Sequence, residues 1–502
     1  MQQAVAHHQA GRLQQAAQMY REVLAIAPGQ ADAMHLMGVI AHQQGQHRQA
    51  IRHITQAIAK NATVASYYSN LGAAQRAAGD LRAAAESFTA ALQLDGTVDS
   101  TWHSLTTVLD QFGDVEALEA TLDQWVQTVP GSVQAHQQRA AQHTAQGRVS
   151  LAVKDLHQCA AIEPDNAEPL LQAAILLHQL GDDAGALRDF KAARHRHFEH
   201  AKLGQSTVQS KLNHDIEQIH WLVEHGHVPP HFMEIAQAYE ALRERLYATG
   251  TGTLEAKHLD SQSQALVSRW YNKPLHVEPC HARPEGALSP SFDGTAAQAR
   301  YLQSQPGITW VDDLLSPAAL ADLRRFCMGS TIWTDFRYSG GYVGTALANG
   351  FANGLLLQIA RELRARMPEV VGPHPLRQMW AYKYDQRLTG IGPHADAAAV
   401  NVNFWITPES ANRNPKTGGL VVWRRCAPLD WDFDAFNRQP EALMEWTRAT
   451  GAEEIHVPYR CNRAVLFDSN LVHRTGDLDF EPGYDNRRVN ITMLFGVRGK
   501  LD

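Results

Sequence analysis

Two histidines and one aspartate in the second half of the sequence have the types and spacing of metal ligands. His394 and Asp396 are separated by one residue in an extended segment bounded by glycine, so their side chains should point to the same side. His473 follows a later strand-like run after a short turn. Two imidazoles and one carboxylate on one face of a metal leave three positions open, which suits non-haem Fe(II) that must admit a cosubstrate and O2.

Other histidines compete for this interpretation, because the chain contains 26 of them. The same pattern recurs at His258 and Asp260 in a stretch without strand character, and we interpret that copy as a chance match. His456 competes with His473 as the distal ligand, but it lies inside a strand-like run, and we favour His473. The structural alternative to a metal site is a set of ordinary hydrogen-bonded histidines in an inert domain.

Residues 305–498 resemble the Fe(II)/2-oxoglutarate-dependent dioxygenases, especially the prolyl-hydroxylase-like branch. The features that match are the His394–Asp396 pair, the distal His473, the run Arg488-Val489-Asn490, Tyr384 ten residues before the first ligand, and Gly418-Gly419-Leu420. The sequence departs from the family at Asn401 and Asn403, where the family often has an aromatic or hydroxyl group. Neither departure removes a metal ligand.

The resemblance implies a role for each of these residues. His394, Asp396 and His473 would be the catalytic ligands of Fe(II), and Arg488 would bind the distal carboxylate of the cosubstrate 2-oxoglutarate, with Tyr384 and Asn490 beside it. A planar, permanently charged guanidinium suits that carboxylate. Arg487 adjoins Arg488, so the sequence leaves open which of the two faces the cosubstrate.

The implied activity is that of a hydroxylase. Such enzymes use Fe(II), O2 and 2-oxoglutarate to hydroxylate a substrate C–H bond, and they release succinate and CO2. Ascorbate is a candidate reductant.

The elements that must position these residues are predicted to be short strands. Strand-like runs cover 378–384, 399–406, 419–423, 454–459, 463–468 and 488–495, and two helices are predicted at 317–327 and 351–367. Many short strands with few helices predict a β-sandwich or jelly roll over residues 301–502. The resemblance implies the double-stranded β-helix form of the jelly roll.

Residues 1–200 form a repeat of a different kind. Six glycines recur at intervals of 34 residues, at Gly11, Gly45, Gly79, Gly113, Gly147 and Gly181. A small or apolar residue follows each glycine by five positions, and a larger apolar or aromatic residue follows it by nine. This pattern predicts six helical hairpins with glycine in the connecting turn, and it resembles the tetratricopeptide repeat family, an all-α solenoid.

The segment between these regions is less regular. Leu212, Ile216, Ile219 and Leu222 recur at helical spacing, and a second helix is predicted over 232–246. These helices would cap the solenoid. Residues 250–300 are richer in Gly, Ser and Pro and are expected to be a linker or an irregular lead-in, so 201–300 is predicted as helical cap and linker.

Composition narrows the classes of function. The net charge is −7 without a long basic block, so no nucleic-acid partner is expected. No apolar run approaches the roughly 18 residues of a membrane span, so no membrane partner is expected either. Five scattered cysteines and the lack of a secretory signal at the start favour the reducing cytoplasm.

Helical repeats joined to an oxygenase domain favour a macromolecular substrate. A tetratricopeptide groove typically holds a peptide, so the expected substrate is a protein or peptide side chain. Two alternatives stay open at this point. One is a small-molecule hydroxylase whose repeats serve assembly, and the other is a non-catalytic repeat scaffold with a degenerate oxygenase domain.

Overall fold

The computed structural model describes residues 1–200, 205–247, 255–336, 341–385, 390–429, 431–432 and 437–499. The chain divides into two compact units, Met1–Pro164 and Asp165–Asp502. The domain boundaries predicted at residues 200 and 300 stay predictions.

The first unit consists of ten helices in five consecutive hairpins. They are α1 (Gln2–Gln9), α2 (Leu13–Ile26), α3 (Ala31–Gln43), α4 (His47–Lys60), α5 (Ala65–Ala77), α6 (Leu81–Leu94), α7 (Asp99–Phe112), α8 (Val115–Thr128), α9 (Val133–Ala145) and α10 (Val149–Ile162). The residues five and nine positions after each turn glycine are buried between the helices, as at Ala84 and Phe88. A Cβ at Gly72 would lie 2.9 Å from the Phe88 ring, so the close approach of α5 and α6 requires a glycine there.

The turn glycines adopt the backbone conformation that the repeat pattern predicts. All six have φ between +71° and +87°, the left-handed region that L side chains rarely adopt. Gly113 is the C-cap of α7, and its N–H donates to the carbonyl of Asp110 at 3.0 Å. The glycine therefore ends one helix and starts the reversal into the next.

The second unit begins with the sixth hairpin, and its described residues form seven further helices. They are α11 (Glu168–Gln179), α12 (Asp183–His200), α13 (Gln209–Glu224), α14 (Met233–Tyr247), α15 (Ser261–Val267), α16 (Gly294–Gln303), α17 (Pro317–Gly329), α18 (Gly354–Arg366) and α19 (Pro440–Ala449). The helices expected at 232–246, 317–327 and 351–367 correspond to α14, α17 and α18. No helix within the described residues is both long enough and apolar enough to cross a membrane.

Eleven strands lie in the described part of this unit. They are β1 (Ser206–Thr207), β2 (Lys257–His258), β3 (Ile308–Val311), β4 (Val343–Ala346), β5 (Leu376–Lys383), β6 (Val400–Trp405), β7 (Leu420–Cys426), β8 (Glu454–Val457), β9 (Ala464–Asp468), β10 (Leu471–Thr475) and β11 (Val489–Phe495). A six-stranded antiparallel sheet has the order β3-β9-β6-β11-β5-β4, and a three-stranded antiparallel sheet has the order β10-β7-β8. Strands β1 and β2 form a separate pair.

Alternation along the strands divides the core of the second unit between two faces. Val402 and Phe404 of β6 belong to the large hydrophobic cluster that also contains residues of α16, α17 and α18. Trp405, on the other face, packs in a second cluster with residues of the three-stranded sheet, such as Leu420 and Val457. One face of the large sheet is thus covered by helices, and the other faces the small sheet.

The described part of the expected linker is packed rather than exposed. It contains α15 and most of α16, and Leu288, Phe292 and Ala297 lie in the same hydrophobic cluster as the large sheet. Residues 255–300 are therefore built into the second unit, because their apolar side chains cover the sheet although they lack a regular period.

The turn glycines generate a stability prediction. Gly113→Ala should lower the free energy of unfolding by about 1–2 kcal/mol, because alanine is disfavoured at positive φ. A Cβ at this position would meet nothing within 4 Å, so the loss would come from the backbone alone. Urea denaturation followed by far-ultraviolet circular dichroism measures the difference.

Gly131→Ala is the matched control, since its Cβ would also meet nothing and its φ is outside the left-handed region. We expect that control to leave the stability within about 0.5 kcal/mol of the starting protein. Equal losses at both positions would mean that the turn conformation is not the reason for the 34-residue glycine spacing.

Candidate metal centre

Backbone pairing places the two predicted histidine ligands side by side. His394 lies between β5 and β6, and His473 lies in β10. The His394 N–H donates to the His473 carbonyl at 3.0 Å, and the His473 N–H donates to the His394 carbonyl at 2.8 Å. This bridge extends the small sheet by one short segment, and the N–H of Asp396 then donates to the carbonyl of Ser469 at 2.9 Å.

The three predicted ligands converge through their side chains. His394 Nε2 lies 3.9 Å from Asp396 Oδ1, and His473 Nε2 lies 3.5 Å from Asp396 Oδ2. The ligand atoms of all three residues lie within 4.8 Å of one another. Asp396 and His473 are buried, whereas His394 is half-buried, so the cluster is accessible from one side.

Hydrogen bonds fix the orientation of both imidazole rings. His394 Nδ1 lies 2.9 Å from the Gly392 carbonyl, and His473 Nδ1 lies 2.9 Å from the Leu471 carbonyl. A carbonyl accepts only, so each Nδ1 carries a proton, and each Nε2 faces Asp396. Burial, followed by the neighbouring His473, lowers the pKa of His394 to about 4, so its ring is neutral near pH 7.

The carboxylate of Asp396 is held by a residue whose role the sequence did not reveal. Asn401 Nδ2 donates to Asp396 Oδ2 at 2.6 Å, and Asn401 is fully buried at the start of β6. Burial raises the pKa of Asp396, but the hydrogen bonds and charges of His473, His394 and Asn401 outweigh it and hold that pKa below its ordinary value. The group is therefore an anion that can bind a cation.

All six sequence-predicted site residues line one cavity of about 250 Å³. Its lining consists of His394, Asp396, His473, Arg488, Tyr384, Asn490, Tyr342, Trp380, Tyr382, Ile391, Asn403, Leu420, Thr475 and Thr492. Sequence reasoning did not single out Tyr342, Trp380, Tyr382, Thr475 or Thr492. A signal for some of them exists, because Trp380 and Tyr382 alternate with Tyr384 along β5, and Thr475 follows His473 by two positions on β10.

Arg488 is buried in this cavity without a carboxylate partner among the described residues. It is 2% exposed, Nε donates to the Gly418 carbonyl at 2.6 Å, and Nη2 donates to the Gly419 carbonyl at 3.3 Å. Nη1 has no hydrogen-bond partner within the part of the chain that the structure describes. Burial lowers the pKa of Arg488, but a guanidinium stays protonated in proteins, so a positive charge remains inside the cavity.

The rings of Tyr384 and Trp405 stabilise part of this charge. The guanidinium carbon lies 4.8 Å from the centroid of Tyr384 and 5.4 Å from that of Trp405. The Tyr384 hydroxyl in turn lies 3.3 Å from Thr475 Oγ1. Aromatic faces attract a cation, but they do not neutralise it.

Arg487, the neighbour that the sequence could not distinguish, is placed elsewhere. Its Nε donates to Glu217 at 2.7 Å, and its Nη2 lies 3.6 Å from Asp385 Oδ2. Of the two arginines, Arg488 lines the cavity and Arg487 pairs with carboxylates outside it.

The competing histidines lie away from this cavity. His258 belongs to β2, and Asp260 caps α15 by accepting a hydrogen bond from the Ser263 N–H at 2.7 Å. His456 is exposed on β8, where its Nε2 lies 2.7 Å from Glu454. Neither histidine is among the cavity-lining residues.

Comparison with known proteins supports the presence of tetratricopeptide repeats in the N-terminal region. A tetratricopeptide repeat family model matches residues 7–74. A search of curated proteins found no match to the chain.

Several solved structures are similar to part of the chain. PilF of Pseudomonas aeruginosa has 18% identity and a TM-score of 0.32, and the match covers 39% of this chain and 88% of that one. YrrB, described as a TPR protein with an unusual peptide-binding site, has 15% identity and a TM-score of 0.30 over 37% of this chain and 95% of that one. A fragment of MamA from Desulfovibrio magneticus RS-1 has 13% identity and a TM-score of 0.29, and the match covers 34% of this chain and 98% of that one. The N-terminal region is a tetratricopeptide-type helical solenoid, and a β-rich region follows it.

Proposed function

We propose that the β-rich unit is an Fe(II)- and 2-oxoglutarate-dependent hydroxylase domain. The observation that carries this proposal is one cavity that contains both a two-histidine, one-carboxylate cluster and a buried guanidinium that pairs with no carboxylate of the described residues. The first feature suits a metal, and the second suits an anion that would enter with it.

The strand order supports a jelly roll for this unit. After β6 in the large sheet, the chain passes to β7 and β8 in the small sheet, returns to the large sheet as β9, and then alternates through β10 and β11. Both sheets are antiparallel, and apolar side chains fill the space between them. A double-stranded β-helix has this alternation.

The side chains fit a resident metal ion. Both Nε2 atoms are directed at Asp396 and are free of competing hydrogen bonds to backbone, because Nδ1 makes those bonds. Two imidazoles and one carboxylate are the ligand set of non-haem Fe(II) sites, which keep three positions open. Asn401 would act from outside the ligand set by fixing the Asp396 carboxylate.

The cavity also fits the far carboxylate of a dicarboxylic cosubstrate. Arg488 Nη1 is buried and has no hydrogen-bond partner among the residues described, and a carboxylate oxygen would satisfy it while neutralising the charge. The Tyr384 and Thr475 hydroxyls and the carboxamide of Asn490 line the same cavity and offer further hydrogen bonds. 2-Oxoglutarate is the cosubstrate with this chemistry that the family resemblance implies.

Bound Fe(II), with 2-oxoglutarate and O2, would supply the hydroxylation of a substrate C–H bond, with release of succinate and CO2. The protein's own residues would position the reactants and exclude water. His394, Asp396 and His473 would hold the metal, and Arg488 would fix the register of the cosubstrate. Tyr342, Trp380 and Tyr382 would form an apolar wall that limits water in the cavity.

We infer that the substrate is a protein or peptide side chain. Tetratricopeptide repeats are scaffolds that typically bind proteins or peptides, so they favour a macromolecular substrate over a free small molecule. Measurement of 2-oxoglutarate turnover without any substrate separates an active domain from a degenerate one, because only the active domain consumes 2-oxoglutarate.

Removing the carboxylate ligand is the first test. Asp396→Ala should abolish 2-oxoglutarate turnover and weaken binding of Mn(II), an Fe(II) substitute, by more than the 10–100-fold typical of outer-shell changes. Calorimetry measures the metal affinity, and succinate release measures the turnover. His258→Ala and His456→Ala are the controls, and both should be silent because these histidines lie outside the cavity.

Near-full turnover in Asp396→Ala would contradict the metal assignment. Loss of metal binding in His456→Ala would show that His473 is not the distal ligand.

Changing the cavity cation is the second test. Arg488→Lys keeps the charge but loses the planar fork, so the affinity for 2-oxoglutarate should fall on the order of tenfold or more. Mn(II) binding should not change, because Arg488 is not a ligand. Calorimetric titration of 2-oxoglutarate into the Mn(II)-loaded protein measures the effect.

Arg487→Lys is the matched control, since the neighbouring side chain pairs with Glu217 and Asp385 instead. It should leave the 2-oxoglutarate affinity within a few fold, with circular dichroism confirming the fold. The reverse pattern, with Arg487→Lys weakening the cosubstrate and Arg488→Lys silent, would show that the wrong arginine has been assigned.

A further inference from the structure

A second group of metal-ligating side chains lies in the same unit, outside the cavity described above. His227 Nδ1 lies 2.6 Å from Glu278 Oε1, and His276 Nε2 lies 2.9 Å from the same oxygen. The ligand atoms of the three residues lie within 4.8 Å of one another. All three side chains are half-buried, so the group can be reached from solvent.

Separate elements hold each of these side chains in place. His227 follows α13, where its N–H donates to the Leu222 carbonyl at 2.9 Å and its ring stacks on Trp221 with centroids 5.0 Å apart. The N–H of Glu278 donates a hydrogen-bond to Ser330 Oγ at 3.1 Å. The Glu278 side chain lies against Gly329, where a Cβ would come within 2.3 Å of Glu278 Cγ.

The backbone around His276 is fixed in the same way. Its N–H donates to Thr331 Oγ1 at 2.9 Å, and the Thr331 N–H donates back to the His276 carbonyl at 2.8 Å. The segment that carries two of the three ligands is thus anchored beside residues 329–331. Preorganised ligands from different elements lose little conformational entropy when a metal binds.

The charge of the group suits a divalent cation. Burial raises the pKa of Glu278, but hydrogen bonds from His276 and His227 outweigh it and keep that pKa below its ordinary value. Glu278 is therefore an anion with two nitrogen ligands beside it. Two imidazoles, one carboxylate and a water form a tetrahedral set typical of Zn²⁺.

We propose that His227, His276 and Glu278 form a second metal site, which takes a zinc-class divalent ion and is independent of the His394–Asp396–His473 cluster. On binding, the proton on each coordinating ring nitrogen moves to the other nitrogen of the same ring. The ion then replaces the two hydrogen bonds that now join the histidines to Glu278.

A hydrogen bond connects the site to the turn that precedes β11. Trp221, which stacks on His227, also donates from Nε1 to Asp485 Oδ1 at 3.0 Å. Asp485 lies in the turn that leads into β11, three residues before Arg488. A metal here would tie the loop after α13 to the segment carrying His276 and would brace that turn.

Metal stoichiometry tests the proposal on the full-length protein. The metal-free protein is titrated with Zn(II) in the presence of a chromophoric chelator. The chelator competes for zinc, so weak binding to other histidines is not counted. The Asp396→Ala variant, which isolates the second site, should keep one tight equivalent. Adding Glu278→Gln to that variant should abolish this tight zinc binding. If Glu278→Gln affects folding, His276→Gln added to Asp396→Ala is the substitute variant, and it should also abolish the binding.

His225→Gln in the Asp396→Ala variant is the matched control. His225 also stacks on Trp221, at 4.4 Å, but it does not belong to the ligand group, so one equivalent should remain. Zinc should also raise the melting temperature of the Asp396→Ala variant and have no such effect once Glu278→Gln is added.

The proposal is overturned if Asp396→Ala holds no tight zinc, or if Glu278→Gln and His276→Gln leave the stoichiometry unchanged. Failure of the proposed hydroxylase centre gives a different result. In that case the starting protein and Asp396→Ala hold the same single equivalent, and Glu278→Gln still removes it.

Discussion

Two reciprocal backbone hydrogen bonds between His394 and His473 are the interaction on which the candidate centre depends. They join a short segment after β5 to β10, and they bring two imidazoles from residues 79 positions apart to a centroid distance of 4.2 Å. Each ring then donates from Nδ1 to a nearby carbonyl, which leaves both Nε2 atoms directed at Asp396. The positions of the two imidazole ligand atoms thus follow from sheet pairing and from one local hydrogen bond for each ring.

The packing between the sheets imposes the second constraint, a buried positive charge. Arg488 enters the cavity at the start of β11, where two backbone carbonyls and two aromatic faces surround it but no carboxylate of the described residues pairs with it. A buried charge without a partner is costly, and here one guanidinium nitrogen also lacks a hydrogen bond. A dianionic cosubstrate that also reaches the metal would relieve both costs, which connects the two halves of the cavity in one function.

Local patterns were sufficient to predict much of this arrangement. The 34-residue glycine spacing predicts the hairpins because each turn needs a left-handed residue, and the alternation in an extended segment predicts that His394 and Asp396 point the same way. The choice of His473 over His456 rested on an expected place after a strand. The structure places His473 within β10 instead, and His473 lines the cavity.

Other features depend on tertiary contacts that no local pattern encodes. In the sequence, Asn401 is only a departure from the family pattern. In the fold it donates a hydrogen bond to Asp396, because β6 passes beside that candidate ligand. Arg487 points away from the cavity that holds Arg488 because it pairs with Glu217, which lies 270 positions away from Arg487 along the chain. His227 and Glu278 lie in segments without periodicity, and only the packing of α13 beside residues 276–278 brings them together.

The central claim is that one cavity binds a metal and 2-oxoglutarate together, and anaerobic absorption spectroscopy tests it most directly. A 2-oxoglutarate chelate on Fe(II) has a visible charge-transfer band that neither component shows alone. The account predicts that this band appears when both are added to the protein without oxygen, saturates at one equivalent of each, and bleaches when O2 is admitted. A protein that binds Fe(II) but develops no such band with 2-oxoglutarate would contradict the account.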